Sequence, residues 1–250
     1  MIKTKLKSFI HTAPDIILDL LAPRKCAGCK KEKEILCKEC VDSSFKFGAS
    51  CVFCNFKNNT GRICAQCRKT NNPNFERVLW TGEYKNALKN SIWELKYKQR
   101  KELAAPLAAL LYKKFLEFYP KYKKENFFAT PIPMHSNKKF ERKYNQSEIL
   151  AKEFSKLSGI SFSNAIIKIV DTKAQVENKT KSERIKNLKN AFDKNCAAIQ
   201  PPNSSVIILI DDVTTTGATF LHASYALRKV EGRAPKIICL AIAHGYGNVF

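Results

Sequence analysis

VIILIDDVTTTGATFLHASYALRKVEGRAPKIICLAIA, residues 206–243, is the stretch that decides the fold. Five apolar residues in succession at 206–210 suit a strand buried on both faces, and KIICLAIA at 236–243 is a second run of the same kind. Between them the spacing predicts an amphipathic helix over 219–230, ending at Gly232. A strand, a helix and a strand with continuous apolar strands predict a parallel α/β sheet. Ligands of such sheets sit at the carboxyl ends of the strands. That end carries Asp211, Asp212, Val213, Thr214, Thr215, Thr216, Gly217, Ala218 and Thr219. Gly217 opens backbone conformations closed to other residues, and the unpaired N–H groups of a helix start favour a phosphate. Paired carboxylates would repel a bare anion. They suit hydrogen bonds from sugar hydroxyls, with a divalent cation nearby. A turn that merely caps a helix explains the threonines and the glycine, but not two successive acids. Neither G-x-x-x-x-G-K-[ST] nor G-x-G-x-x-G is present. Taken alone, the turn indicates a phosphate and a sugar.

Working outward, the larger fold is expected to begin at 78–80 after the polar stretch RKTNNPNFERV. Helices are expected over 86–95 and 102–118, a short buried strand over 127–133, and a helix over 146–157 closed by Gly159. A further strand is expected over 161–170. Residues 171–205 include DTKAQVENKTKSERIKNLKN and PPNSS, which bury little and predict a mobile loop or an exposed helix.

Eight of the ten cysteines form four Cys-x-x-Cys pairs: Cys26/Cys29, Cys37/Cys40, Cys51/Cys54 and Cys64/Cys67. Two intervening residues let both sulfurs of a turn face one tetrahedral ion, so the set predicts structural Zn²⁺ sites. Sequential pairing, crossed pairing and a single occupied site all fit the spacing. An iron–sulfur cluster or a disulfide framework suits these knuckles less well. Cys196 stands alone, and Cys239, within an apolar run, reads as core.

The net charge of +22 is spread along the whole chain, which predicts a broadly positive body drawn to polyanions. A lysine-rich solvated surface is the plainer alternative. The aromatics Trp80, Tyr84, Trp93, Tyr97 and Tyr144 lie among basic residues and could stack on bases, although tryptophans more often pack in cores. At the N-terminus, Leu6, Phe9, Ile10, Ile17, Leu20 and Leu21 recur at helical spacing. They predict a helix packed on its own protein, with peripheral membrane contact as the alternative. His11, Pro14, Asp15 and Asp19 interrupt the stretch, which argues against a signal peptide, and no apolar run reaches membrane-spanning length. The expected location is cytoplasmic, or peripheral at the inner membrane.

Residues 209–219, LIDDVTTTGAT, resemble the signature of type I phosphoribosyltransferases. Together with the cysteine pairs, SIWELKYKQRKELAAPLA (91–108), PIPMH (131–135), ERKYNQSEILA (141–151), Gln175 and RIKNLKNAF (184–192) make the chain similar to the ComF family of competence proteins. The resemblance implies an α/β, parallel-sheet phosphoribosyltransferase-like domain (73–250) behind an N-terminal helix and double zinc-ribbon module (1–72), acting in natural DNA uptake. It implies that Asp211 and Asp212 face the ribose hydroxyls of phosphoribosyl pyrophosphate held with Mg²⁺. Residues 214–219 would hold its 5′-phosphate, and Pro133, Met134 and His135 would meet its pyrophosphate. Lys138, Lys139, Arg142 and Lys143 could then neutralise the pyrophosphate or a nucleic-acid backbone, a solvated basic loop being the plainer alternative. With Lys98 and Arg100 they are candidates for single-stranded DNA, and the DNA-uptake proteins of the inner membrane are candidate partners. No acceptor nucleophile is identifiable. A phosphoribosyltransferase, a non-catalytic sensor of phosphoribosyl pyrophosphate that binds DNA, and a nucleobase salvage enzyme therefore stay open.

Overall fold

The apolar runs assemble into one twisted sheet. A computed structural model describes residues 24–32, 34–44, 49–170, 190–202, 204–228 and 235–245. Its strands are β1 (Val78–Glu83), β2 (Phe127–Pro131), β3 (Ser161–Phe162), β4 (Ile166–Lys168), β5 (Phe192–Lys194), β6 (Val206–Thr214) and β7 (Lys236–His244). The main sheet has the order β1-β7-β6-β2-β3 and every pairing in it is parallel. The helices are α1 (Lys38–Ser44), α2 (Ala65–Asn71), α3 (Asn86–Tyr97), α4 (Ala104–Phe118), α5 (Ser136–Arg142), α6 (Gln146–Ser158) and α7 (Ala218–Arg228).

Strand periodicity sends alternate side chains into two cores. Leu79, Ile208, Ile210, Ile238 and Leu240 join the face covered by α3, α4 and α6. Val78, Trp80, Ile207, Leu209, Ile237 and Cys239 join the opposite face, with Phe220 and Leu227 of α7 and with Val52 and Phe53 from the cysteine-rich region. Burial of each such aliphatic side chain contributes roughly 1.5–3 kcal/mol. This two-sided demand is why residues 206–210 of β6 and 237–243 of β7 read as unbroken apolar runs.

The connections place the site. From β2 the chain crosses through α6 to β3 at one edge, whereas from β6 it crosses through α7 to β7 in the opposite direction. Because β2 and β6 are neighbours, their carboxyl ends flank the crevice where strand order reverses.

Several expectations need correction. The strand over 161–170 divides in two. Ser163 makes the last bond to the sheet, through Ala129 O, and its hydroxyl donates to Ile199 O, which turns the chain away. Ile166–Lys168 then pairs antiparallel with Phe192–Lys194 in a separate two-stranded sheet. Part of the expected loop or exposed helix over 171–205 is thus a strand, anchored by the buried Ala191 and Phe192. The strand expected over 206–210 continues to Thr214, because 211–214 keep pairing with β7. The helix over 102–118 opens as a 3₁₀ turn at Lys101–Leu103, and Pro106 falls in the first turn of α4, where its missing N–H is not needed. The N-terminal stripe, Gln175, residues 184–189 and Gly232 lie outside the described residues. Among the described residues no helix is long and apolar enough to cross a membrane.

Candidate functional site

The cysteines resolve into two sequential groups, Cys26, Cys29, Cys37, Cys40 and Cys51, Cys54, Cys64, Cys67, each with its sulfurs within 4.8 Å of one another. Four thiolates bound about 2.3 Å from one ion stand about 3.8 Å apart. The Sγ separations of 3.6 Å for Cys26–Cys37 and Cys29–Cys37, and 3.7 Å for Cys54–Cys64, fit that tetrahedron. Backbone amides point at the sulfurs: Cys37 N–H donates to Cys26 Sγ, and Cys67 N–H to Cys64 Sγ, both at 3.4 Å. Burial pushes the Cys26 thiol up, but the amides of Cys37, Cys29 and Gly28 outweigh it and hold it down to about 6. The Cys67 amide holds Cys64 down to about 7. Both groups could hold zinc, and both suit a structural role because every sulfur would be a ligand.

Each knuckle is wedged against a different wall of the strand-end crevice. A Cβ on Gly28 would lie 2.6 Å from Ala87 Cβ on α3 and 2.6 Å from Cys40 Sγ. Lys30 reaches Glu94 on the same helix, and Glu94 also holds Arg100 at 2.6 Å. The second knuckle meets the turn after β6. Gly217 has φ +71°, and a Cβ there would lie 2.7 Å from Val52 Cγ1. Glycine is therefore required at 217 twice over, by backbone conformation and by the close approach of Val52.

At the carboxyl end of β6, Asp211 and Asp212 are buried and separately engaged. Asp211 Oδ1 accepts from Ser147 Oγ, 2.8 Å away at the start of α6. Asp212 Oδ2 lies 2.7 Å from Lys96 Nζ, which descends from α3. Burial works against the Lys96 ammonium, but Asp212, and then Asp211, raise its pKa above the ordinary lysine value. Sequence reasoning missed Lys96 as a site residue. Its signal was phase: it stands four residues after the fully buried Ile92, at the edge of the apolar stripe of α3. Thr216 Oγ1 accepts from Ala218 N at 3.4 Å and so opens α7. Across the crevice, Asn145 binds Ile132 O at 2.9 Å and caps α6. Pro133, Met134 and His135 follow β2, half-buried, and His135 Nδ1 accepts from Asn137 N at the start of α5. The structure thus brings 211–217 and 133–135 to adjoining strand ends. Thr219 sits in the first turn of α7.

Burial, joined by the Asp212 charge, pushes Asp211 up to about 7 against the hydrogen bond from Ser147. An unfolded aspartate titrates near 3.9. Between about 4 and 7 the folded chain therefore binds a proton that the unfolded chain has lost, and this contribution to stability disappears as pH rises through 7. Asp211→Asn is expected to remove that decline, so its melting temperature should gain on the parent between pH 5 and pH 8. Parallel calorimetric melting profiles across that range would contradict this.

The basic candidates lie beside the crevice. Lys98, Lys139 and Lys143 are exposed, and Lys138 and Arg142 are half-exposed. Lys139 is within 3.4 Å of Glu148. The Arg100 guanidinium is held by Glu94 and Glu102, at 2.6 and 2.8 Å, and organises the chain after α3. Of the aromatics, Trp80, Tyr84 and Tyr144 are buried, whereas Trp93 and Tyr97 are exposed. Trp80 stacks on His244, ring centroids 4.4 Å apart, and burial holds that imidazole down to about 4.

No family model matches the chain. It is 28% identical over 207 residues to Competence protein F of Haemophilus influenzae, covering 82% of this chain and 84% of that one. It is 26% identical over 215 residues to Competence protein ComFC of Bacillus subtilis, covering 83% of each. With DNA utilization protein YhgH of Salmonella typhi it shares 26% over 182 residues, 71% of this chain and 76% of that one. Similarity over most of the chain to proteins named for competence and DNA utilization supports the resemblance to the ComF family.

Proposed function

We propose that this protein serves DNA uptake in natural transformation, binding phosphoribosyl pyrophosphate at the β2–β6 crevice and single-stranded DNA on the basic surface beside it. The family relatives named for competence and DNA utilization support the cellular role. The observation that carries the ligand is the acid pair at the end of β6, followed by a glycine turn into a helix start at the reversal of strand order. In this reading Asp211 and Asp212 accept the ribose hydroxyls. Amides and hydroxyls of 214–219 take the 5′-phosphate, and Pro133, Met134 and His135 line the pyrophosphate side. Mg²⁺ would neutralise the pyrophosphate. Lys98, Lys138, Lys139, Arg142 and Lys143 meet DNA phosphates, while Arg100 holds their support in place. Residues 1–72 act as the metal module and 73–250 as the ligand-binding domain, in the cytoplasm or at the inner membrane with other uptake proteins.

The Lys96–Asp212 ion pair favours a second reading. A carboxylate already matched by a resident cation suits a site that holds the ligand and signals its presence, without turnover.

Calorimetric titration with Mg²⁺–phosphoribosyl pyrophosphate is expected to show saturable binding, and its absence removes the assignment. Pyrophosphate release, with and without single-stranded DNA, separates enzyme from sensor. DNA affinity carried by five cationic side chains should fall with log salt at a slope of about −3 to −4. A flat salt dependence would refute the electrostatic surface.

A further inference from the structure

Helix α3 has two working sides. Lys96 turns inward to Asp212, while Trp93 and Tyr97, one helical turn apart, stand outward with 43% and 54% of their surface exposed. Their ring centroids are 5.8 Å apart and their planes tilted by 46°. Each ring carries a cation: Lys98 Nζ lies 5.4 Å from the Trp93 centroid, and the Arg142 guanidinium 4.9 Å from that of Tyr97. Arg142 also donates to the Tyr97 hydroxyl at 3.1 Å, which joins α5 to α3. Two large aromatics exposed side by side form a contiguous apolar patch, the kind of surface that marks an interaction site. Protein-binding patches are depleted in lysine. Unpaired nucleobases offer flat π-faces and bring their own phosphates to the neighbouring cations.

We propose that Trp93 and Tyr97 form a stacking platform for unpaired bases, with Lys98 and Arg142 neutralising the adjoining phosphates. This rests on the DNA-binding reading above and assigns it a surface. The 46° tilt and the close spacing leave no slot for a base between the rings, so each ring takes one base on its open side. Double-stranded DNA, whose bases are already stacked, gains nothing from the platform.

The test is filter binding of the full chain with a thymidine 20-mer and with a duplex of equal length. Trp93→Ala with Tyr97→Ala should weaken single-strand binding about tenfold or more. Duplex binding, the salt slope, the zinc content and phosphoribosyl pyrophosphate affinity should keep their parent values. Trp93→Phe with Tyr97→Phe, which retains the π-faces, should recover most of the loss. Equal loss on single strand and duplex would overturn the platform and leave only electrostatic attraction. Unchanged single-strand affinity in the alanine variant would overturn it while leaving the DNA-binding reading intact. A parent chain that binds no DNA would end both.

Discussion

Asp212→Asn is expected to cost about 3 kcal/mol of stability, because it leaves the Lys96 ammonium largely buried without its counter-charge. The side chains are only 13% and 10% exposed, so water screens the stranded charge weakly. A loss of ligand binding in this variant alone would therefore be ambiguous. Lys96→Met combined with Asp212→Asn removes both charges and should bring the denaturation midpoint back to within about 1 kcal/mol of the parent. Binding should behave differently. If Asp212 accepts a ribose hydroxyl, the stable double variant still loses phosphoribosyl pyrophosphate affinity by at least about tenfold, the scale of one charged hydrogen bond. Parent-like calorimetric affinity in that variant would remove Asp212 from the site.

The second large effect belongs to the metal groups. Structural zinc contributes about 10–16 kcal/mol in small zinc-binding peptides. Here the second knuckle also forms the wall behind Gly217, through Val52 and Phe53. Cys51→Ser with Cys54→Ser is expected to halve a zinc content of two ions per chain, as measured by atomic absorption. It should also weaken phosphoribosyl pyrophosphate binding at least about tenfold, although neither cysteine is a proposed ligand contact, because the proposed phosphate turn depends on that wall being fixed. Cys26→Ser with Cys29→Ser should remove the other ion and loosen the seat of α3 instead. A folded chain lacking the second ion yet binding phosphoribosyl pyrophosphate normally would disprove the coupling.

The legible parts of the sequence were those where one local constraint acts. The runs at 206–210 and 237–243 are apolar throughout because both faces of each strand are covered. Gly159 announced the end of α6 because a left-handed closing residue, here at φ +70°, favours glycine. Where two distant segments jointly decide the outcome, the signal faded. Residues 161–170 read as one strand, and only the pairing of Ser161–Phe162 with β2 and of Ile166–Lys168 with β5 reveals that they serve two sheets. Cysteine spacing was compatible with crossed or sequential pairing, and the choice emerged from sulfur positions. Lys96 reads locally as one lysine in a basic stretch, since its partner lies on a strand formed far later in the chain.

The placement of the chain's two tryptophans makes the molecule its own optical instrument. Trp80, 2% exposed and pressed against a neutral imidazole, should emit at short wavelength and resist iodide. Trp93 emits from water at longer wavelength and is open to the quencher. Events in the sheet and events on the outer face of α3 therefore report at different colours, without any label attached.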